Sequence, residues 1–184
     1  MRLFIAVELP DEVKRKISEL IDQLKVADAG IKWVEAVNLH MTLKFLGWVG
    51  DQKAEAVFDL VNQAITGTGS FPVRFESAGT FPAGQSPRVI WVGVSEGGDQ
   101  LKSLAESLEQ AFSRAGYRSE ERAFSSHVTI GRIKNNEGVD KIKEKIDGFR
   151  AAYFGTALIN SIAVMKSALT PKGPIYEKIK EVKL

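Results

Sequence analysis

Residues 39–47 read LHMTLKFLG, and residues 126–132 read SHVTIGR. Each stretch puts a histidine at the head of an apolar, β-branched run, two positions before a threonine, and the chain has no other histidine. Side chains at i and i+2 of a β-strand leave the same face. His40 and Thr42 therefore project together, as do His127 and Thr129, while Met41, Leu43, Val128 and Ile130 take the opposite face. That is the pattern of a sheet packed under helices on one side and facing a cleft on the other. The two histidines stand 127 − 40 = 87 residues apart in a chain of 184. A molecule built from two similar halves would bring both pairs of polar groups into one small volume.

The flanking sequence supports such a duplication. LFIAVEL reads as a strand, and from Asp11 onward Val13, Ile17, Leu20, Ile21 and Leu24 recur at helical spacing behind an acidic first turn. IKWVEAVNLHMTLKFLGWV reads as one or two strands. Asp51 opens a second helix with Ala54, Val57, Phe58, Val61, Ala64 and Ile65 as its buried stripe, ended by Gly67 and Gly69, and FPVRFESAGTF alternates as a strand. After the turn residues of PAGQSP the order begins again. RVIWVGV is a strand, Asp99 to Ala115 a helix stopped by Gly116, SHVTIGRI the second motif strand, and VDKIKEKI a shorter helix. The tail predicts two strands, ALINSIAVMKSAL and IYEKIKEVKL, joined by a turn at TPKGP. The reading is an α+β fold: a single bilobal domain over 1–184, with sequence halves 1–87 and 88–184. Two pseudo-two-fold related lobes of antiparallel sheet carry helices packed outside and share a central cleft. No Pro/Gly/Ser-rich linker parts the halves, so the lobes are expected to share sheet edges as one unit.

Composition narrows the chemistry. With 44% hydrophobic and 26% charged residues the chain can bury a sizeable core. The apolar run Leu3–Val7 is too short for a secretory signal or a membrane span, so a cytoplasmic, membrane-free protein is expected. The absence of cysteine removes disulfides, thiolate zinc sites and cysteine nucleophiles. A net charge of +2 tolerates an anionic substrate but lacks the basic density of a protein that coats nucleic acid.

Two imidazoles and two hydroxyls suffice for one kind of reaction without metal or thiol. Near neutral pH one histidine can be a neutral base while the other is a protonated acid. At phosphorus, one ring takes the proton of the attacking hydroxyl or water and the other protonates the departing oxygen. Threonine hydroxyls can donate to the non-bridging oxygens where charge grows. A lone histidine in an apolar strand is usually an ordinary core residue. Both histidines of a chain in the same tripeptide at equivalent places of a repeat are hard to explain by packing. A zinc pair is the competing reading, but zinc wants three or four protein ligands and no third histidine or cysteine exists.

HMTLKFLG and HVTIGR, together with LFIAVELP, RVIWVGV and the final KGPIYEKI, resemble the 2H phosphoesterase superfamily, within it the RNA 2′,3′-cyclic phosphodiesterases also called 2′-5′ RNA ligases. The resemblance covers essentially the whole chain. It implies metal-independent opening of an RNA terminal 2′,3′-cyclic phosphate to a 2′-phosphomonoester, with no cofactor, in a monomer. His40 and His127 match the catalytic pair, with His127 favoured as base and His40 as acid although the symmetry permits either order. Thr42 and Thr129 match the phosphate-binding hydroxyls, and Arg132 a basic residue that follows the second motif and contacts phosphate. Five places beyond His127, Arg132 has the wrong parity for the cleft, so a twist, a bulge or the strand end must turn it. Phe45 stands at the same offset from His40, where it could stack on the terminal base or simply belong to the core. Lys44 shares a face with His40 by parity and could add charge. Trp33, Trp48 and Trp91 read as packing. The alternatives are a 2′-5′ RNA ligase joining tRNA halves at the same site and a non-catalytic RNA-end binding module.

Overall fold

The computed structural model describes residues 1–25, 30–83, 86–135, 139–171 and 173–184. In chain order the elements are β1 (Arg2–Glu8), α1 (Asp11–Leu24), β2 (Ile31–Trp33), β3 (His40–Trp48), α2 (Ala54–Ile65), β4 (Phe71–Phe81) and β5 (Val89–Glu96), then α3 (Gly98–Arg114), β6 (His127–Ile133), α4 (Val139–Asp147), β7 (Tyr153–Ile159), β8 (Ser161–Thr170) and β9 (Gly173–Lys183). All strand pairings are antiparallel, in a four-stranded sheet ordered β3-β1-β8-β9 and a five-stranded sheet ordered β2-β6-β5-β4-β7.

The two orders correspond. In each sheet the motif strand pairs with the first strand of its own half, β3 with β1 and β6 with β5. The next neighbour comes from elsewhere in the chain: β8 beside β1, and β4 beside β5. Helices cross over too. α1 packs on β7 and α4, and α4 on β4, so both cover the five-stranded sheet; α3 packs on β3 and on α2, over the four-stranded one. The inward faces of all four helices and both sheets meet in one apolar cluster, from Ile17 and Leu20 of α1 through Val61 of α2 and Leu108 of α3 to Ile142 of α4.

Local sequence explains the helix starts. Pro10 caps α1 in extended conformation and Asp11 and Glu12 complement the dipole of its first turn. α3 begins after Gly97 at φ 81°, where a Cβ would run into the Pro72 carbonyl, so only glycine fits. Two boundaries differ from the sequence reading. Asp51–Lys53 forms a 3₁₀ turn ahead of α2 instead of its first turn. Of the one or two strands read in IKWVEAVNLHMTLKFLGWV there are two, in different sheets, separated by a 3₁₀ turn at Ala36–Asn38. ALINSIAVMKSAL is likewise broken at Asn160, where the chain passes from β7 in one sheet to β8 in the other. Parts of the predicted turns at PAGQSP and TPKGP lie outside the described residues. Among the described residues no helix is long and apolar enough to cross a membrane.

β1 is buried on both sides. Leu3, Ile5 and Val7 join the main core, whereas Phe4 and Ala6 join Ala163 and Met165 in a second, small cluster with Tyr176 packed against it. This second cluster floors the cleft and supports His40.

Candidate active site

A cavity of about 990 Å³ opens between the sheets, with His40, Thr42 and Phe45 of β3 on one wall and His127, Thr129 and Arg132 of β6 on the other. The histidines are held alike. His40 Nδ1 lies 2.7 Å from the carbonyl oxygen of Asn38, and His127 Nδ1 2.8 Å from that of Ser125, each two residues upstream. A carbonyl only accepts, so both Nδ1 atoms carry the hydrogen and the neutral rings keep their lone pair on Nε2. His40 Nε2 is 3.0 Å from Thr42 Oγ1. Phe4 lies 4.9 Å from the His40 ring and Tyr176 meets it edge-on at 5.1 Å; Phe81 meets the His127 ring edge-on at 5.4 Å.

Burial makes the protonated form of His40 costly and is the main reason its pKa falls below the ordinary 6.5. The Asn38 carbonyl opposes the shift, and the positive charges of Arg132 and Lys14 add to it. Arg132, on the opposite sheet, is thus close enough to act on the His40 charge, which binds the two walls into one electrostatic unit.

The parity problem of Arg132 has a definite solution. Between β5 and β6 the register slips: Trp91 faces Thr129, but Ile90 faces Gly131, leaving Ile130 as an extra residue. Between β1 and β3 the same slip occurs, Ala6 facing Thr42 and Ile5 facing Lys44, with Leu43 extra. Each bulge reverses the alternation two residues after the motif threonine. Arg132 is thereby turned into the cavity, and so is Phe45 at its symmetry-equivalent position, half exposed instead of buried in the core.

The same bulge overturns the reading of Lys44. It does not share the face of His40: it is 1% exposed, on the helix side of β3, with its Nζ 2.5 Å from Glu109 Oε2 of α3. Glu109 also accepts from Ser113 and from the Glu120 backbone N–H. Burial raises the Glu109 pKa, but Lys44 and these donors outweigh it and hold the carboxyl below 4.5. Lys44 therefore ties the first motif strand to the segment leading into the second, and has no access to a ligand in the cleft. Removing one partner of such a pair is asymmetric. Glu109→Leu leaves a buried cation unpaired and is expected to cost on the order of 3 kcal/mol. Lys44→Met keeps the stem and leaves a carboxylate that can still reach water, so its denaturant midpoint should fall by clearly less. Equal losses would contradict this assignment.

Of the tryptophans, Trp91 stacks on Phe81 at 5.0 Å as packing, but Trp33 lines the cavity and Trp48 is 84% exposed. Residues that the motif reading did not single out also shape the site. Asn38 holds His40 through its carbonyl and reaches the β9 strand through its side chain, Nδ2 donating to the Pro174 carbonyl at 3.2 Å. Tyr176 comes from β9, at the opposite edge of the four-stranded sheet from β3. Its only sequence signal was its place in KGPIYEKI. Among the described residues no group of three or more His, Cys, Asp or Glu side chains could hold a metal ion.

Two helix-backed antiparallel sheets related by an approximate two-fold, each carrying an H-x-T strand into a shared cleft, define the class of the 2H phosphoesterases. The chain belongs to the 2′-5′ RNA ligase superfamily, whose family model matches residues 9–170. It is 36% identical, over all of its own length and 99% of the other's, to the RNA 2′,3′-cyclic phosphodiesterase of Methanothermobacter thermautotrophicus. The crystal structure of TT0787 from Thermus thermophilus superposes with a TM-score of 0.82 at 26% identity, covering 100% of this chain and 98% of that one. E. coli LigT, crystallised with phosphate, gives 0.76 at 25% identity, with 100% and 96% covered.

Proposed function

We propose that the protein hydrolyses the terminal 2′,3′-cyclic phosphate of RNA to a 2′-phosphomonoester, with His40 and His127 as the acid and base. The observation that carries this reading is the matched tethering of the two rings. Both Nδ1 atoms are committed to backbone carbonyls, which aims two Nε2 atoms at one cavity beside Thr42, Thr129 and Arg132. Water attacks phosphorus as His127 Nε2 takes its proton; the P–O3′ bond breaks as His40 Nε2 delivers a proton to O3′. Thr42, Thr129 and Arg132 bear the non-bridging oxygens. The name carried by the relatives supports the substrate, and the phosphate complex of E. coli LigT supports the type of ligand.

If an RNA 5′-hydroxyl replaced water, the same displacement would form a 2′-5′ linkage, as the superfamily's name suggests, with tRNA halves as one candidate pair. All groups invoked come from one chain, which supports action as a monomer. Exchange of strands between halves 1–87 and 88–184 around a single core supports one folding unit. Incubating an oligonucleotide ending in a 2′,3′-cyclic phosphate with the protein and a chelator should yield a product resistant to a 3′-specific phosphatase. A 3′-phosphate product, or loss of activity with chelator, would overturn the proposal.

The depressed pKa of His40 gives a pH signature. Acting as the acid, His40 must be protonated, and in the free protein that form disappears as pH rises through a value below 6.5. kcat/KM, which reports the free protein, should therefore be bell-shaped, with one limb set by His40 and lying below 6.5. Bound phosphate cancels the repulsion from Arg132 and restores the proton, so the limb of kcat should lie at higher pH.

A further inference from the structure

The cavity is larger than the phosphate corner needs, standing at the top of the ~300–1,000 Å³ usual for small-molecule sites. Among its described lining residues, besides Arg132, are two further cations, Arg2 of β1 and Lys32 of β2, and a single carboxylate, Glu35. Among the described residues neither Arg2 nor Lys32 has an ion-pair partner. Lys32 faces Arg132 directly in the β2–β6 register, and its Nζ reaches across the cleft to within 3.5 Å of where a Cβ on Gly173 would stand. Arg2, paired with Ser167 of β8, stands on the opposite wall, one turn of the pleat beyond Phe4. Both Arg2 and Arg132 act electrostatically on the Tyr176 hydroxyl, so they flank the same stretch of cleft. Concave sites lined by one sign of charge concentrate the opposite one.

We propose that Arg2 and Lys32 form a second anion subsite, which holds the phosphodiester on the 5′ side of the terminal nucleotide while the cyclic phosphate sits between the histidines. The proposal rests on the hydrolase reading above and specifies its substrate as an RNA chain end instead of a free nucleotide. Directly opposed strand residues stand about 5 Å apart at Cα. Two long side chains spreading from such neighbours, Arg132 toward the histidines and Lys32 toward the hairpin of β8 and β9, cover the span from one phosphate to the next.

Three substrates separate the possibilities: a nucleoside 2′,3′-cyclic phosphate with a free 5′-hydroxyl, the same nucleotide carrying a 5′-phosphate, and a dinucleotide ending in the cyclic phosphate. The protein should favour the dinucleotide over the 5′-hydroxyl nucleotide by at least about tenfold in kcat/KM, the scale of a charged hydrogen bond. Arg2→Gln and Lys32→Gln should each shrink that preference and leave the 5′-hydroxyl nucleotide's rate and the melting temperature unchanged. Each should also reduce the salt slope of dinucleotide binding by about 0.7. A gain matched by the 5′-phosphate nucleotide shows that charge alone is read; a gain confined to the dinucleotide shows that the linked diester is. Equal rates on all three substrates, or a dinucleotide preference that survives both substitutions, would overturn the subsite. Affinity for the same series bearing a 2′-phosphate, measured by calorimetry, decides it even if no cyclic phosphate is opened, an outcome that would sink the hydrolase reading alone.

Discussion

Replacing His127 by alanine is expected to lower kcat/KM for a cyclic-phosphate RNA end by about 10²–10⁴-fold, the contribution of a positioned proton-transfer group, and replacing His40 to do the same. The two tests are not equally clean. His127 has Phe81 against its edge and stands at the open side of its strand, so its loss leaves little unpacked. His40 lies between Phe4 and Tyr176, and truncation there opens a gap in the cluster that floors the cleft. His40→Gln is the better control, since it fills most of the space and cannot transfer a proton. If acid and base act in one displacement, the double variant should be scarcely slower than either single one, because the second loss removes a group that has nothing left to assist. Full activity in His40→Gln with an unchanged melting temperature would exclude the ring from the chemistry.

How much of this was legible in sequence depends on the scale at which one looks. The H-x-T pairs, the strands that bear them and the helix faces follow from periods of two and 3.6, and the structure places them as those periods require. Periodicity fails where it is interrupted. A bulge adds a residue without leaving a mark in the apolar pattern, so strict alternation sent Lys44 to the cleft when it is buried, and left Phe45 between the base side of the cleft and the core when it lines the cleft. Gly131, at the place of Lys44 in the second half, shows that the bulge does not depend on one residue type. What the bulge does require is a burial site for whatever follows, and in the first half that site is built around Glu109, 65 residues further on. No local reading could have matched the two. Tyr176 and Asn38 were missed for a related reason: their roles arise from the curl that brings β9 toward β3, a property of the whole sheet.

The paired bulges also break the symmetry in a useful way. At equivalent places one wall offers a half-exposed aromatic ring, Phe45, and the other a guanidinium, Arg132. A site with two equivalent histidines would accept the cyclic phosphate in either orientation. On the proposed function, one apolar and one cationic neighbour would give a nucleotide a base side and a phosphate side, and so fix which oxygen meets which imidazole.

Arg132 is where the second large effect is expected. Arg132→Ala should cost roughly 1.5–3 kcal/mol of transition-state stabilisation, about 10–150-fold in kcat/KM, as the loss of a charged contact to phosphate. Arg132→Lys should recover little of it, because an ammonium cannot reproduce the two-pronged contact of a planar guanidinium. Thr42→Val and Thr129→Val, which keep the branched shape and remove the hydroxyl, should fall in the same range without loss of stability. Rate alone would not distinguish direct contact with phosphate from a general disturbance of the cleft. The His40 titration does. Arg132 helps to lower that pKa, so Arg132→Ala must raise it in the free protein, and Arg132→Lys, which retains the charge, must leave it nearer its original position. Imidazole proton shifts followed by NMR from acid to mildly alkaline pH in the three proteins would show both effects. Arg132→Lys is then the decisive variant: a His40 pKa close to that of the unsubstituted protein, combined with a rate close to that of Arg132→Ala, assigns the lost rate to the geometry of the phosphate contact. A lysine variant with full activity would mean that Arg132 serves the cleft only as a charge.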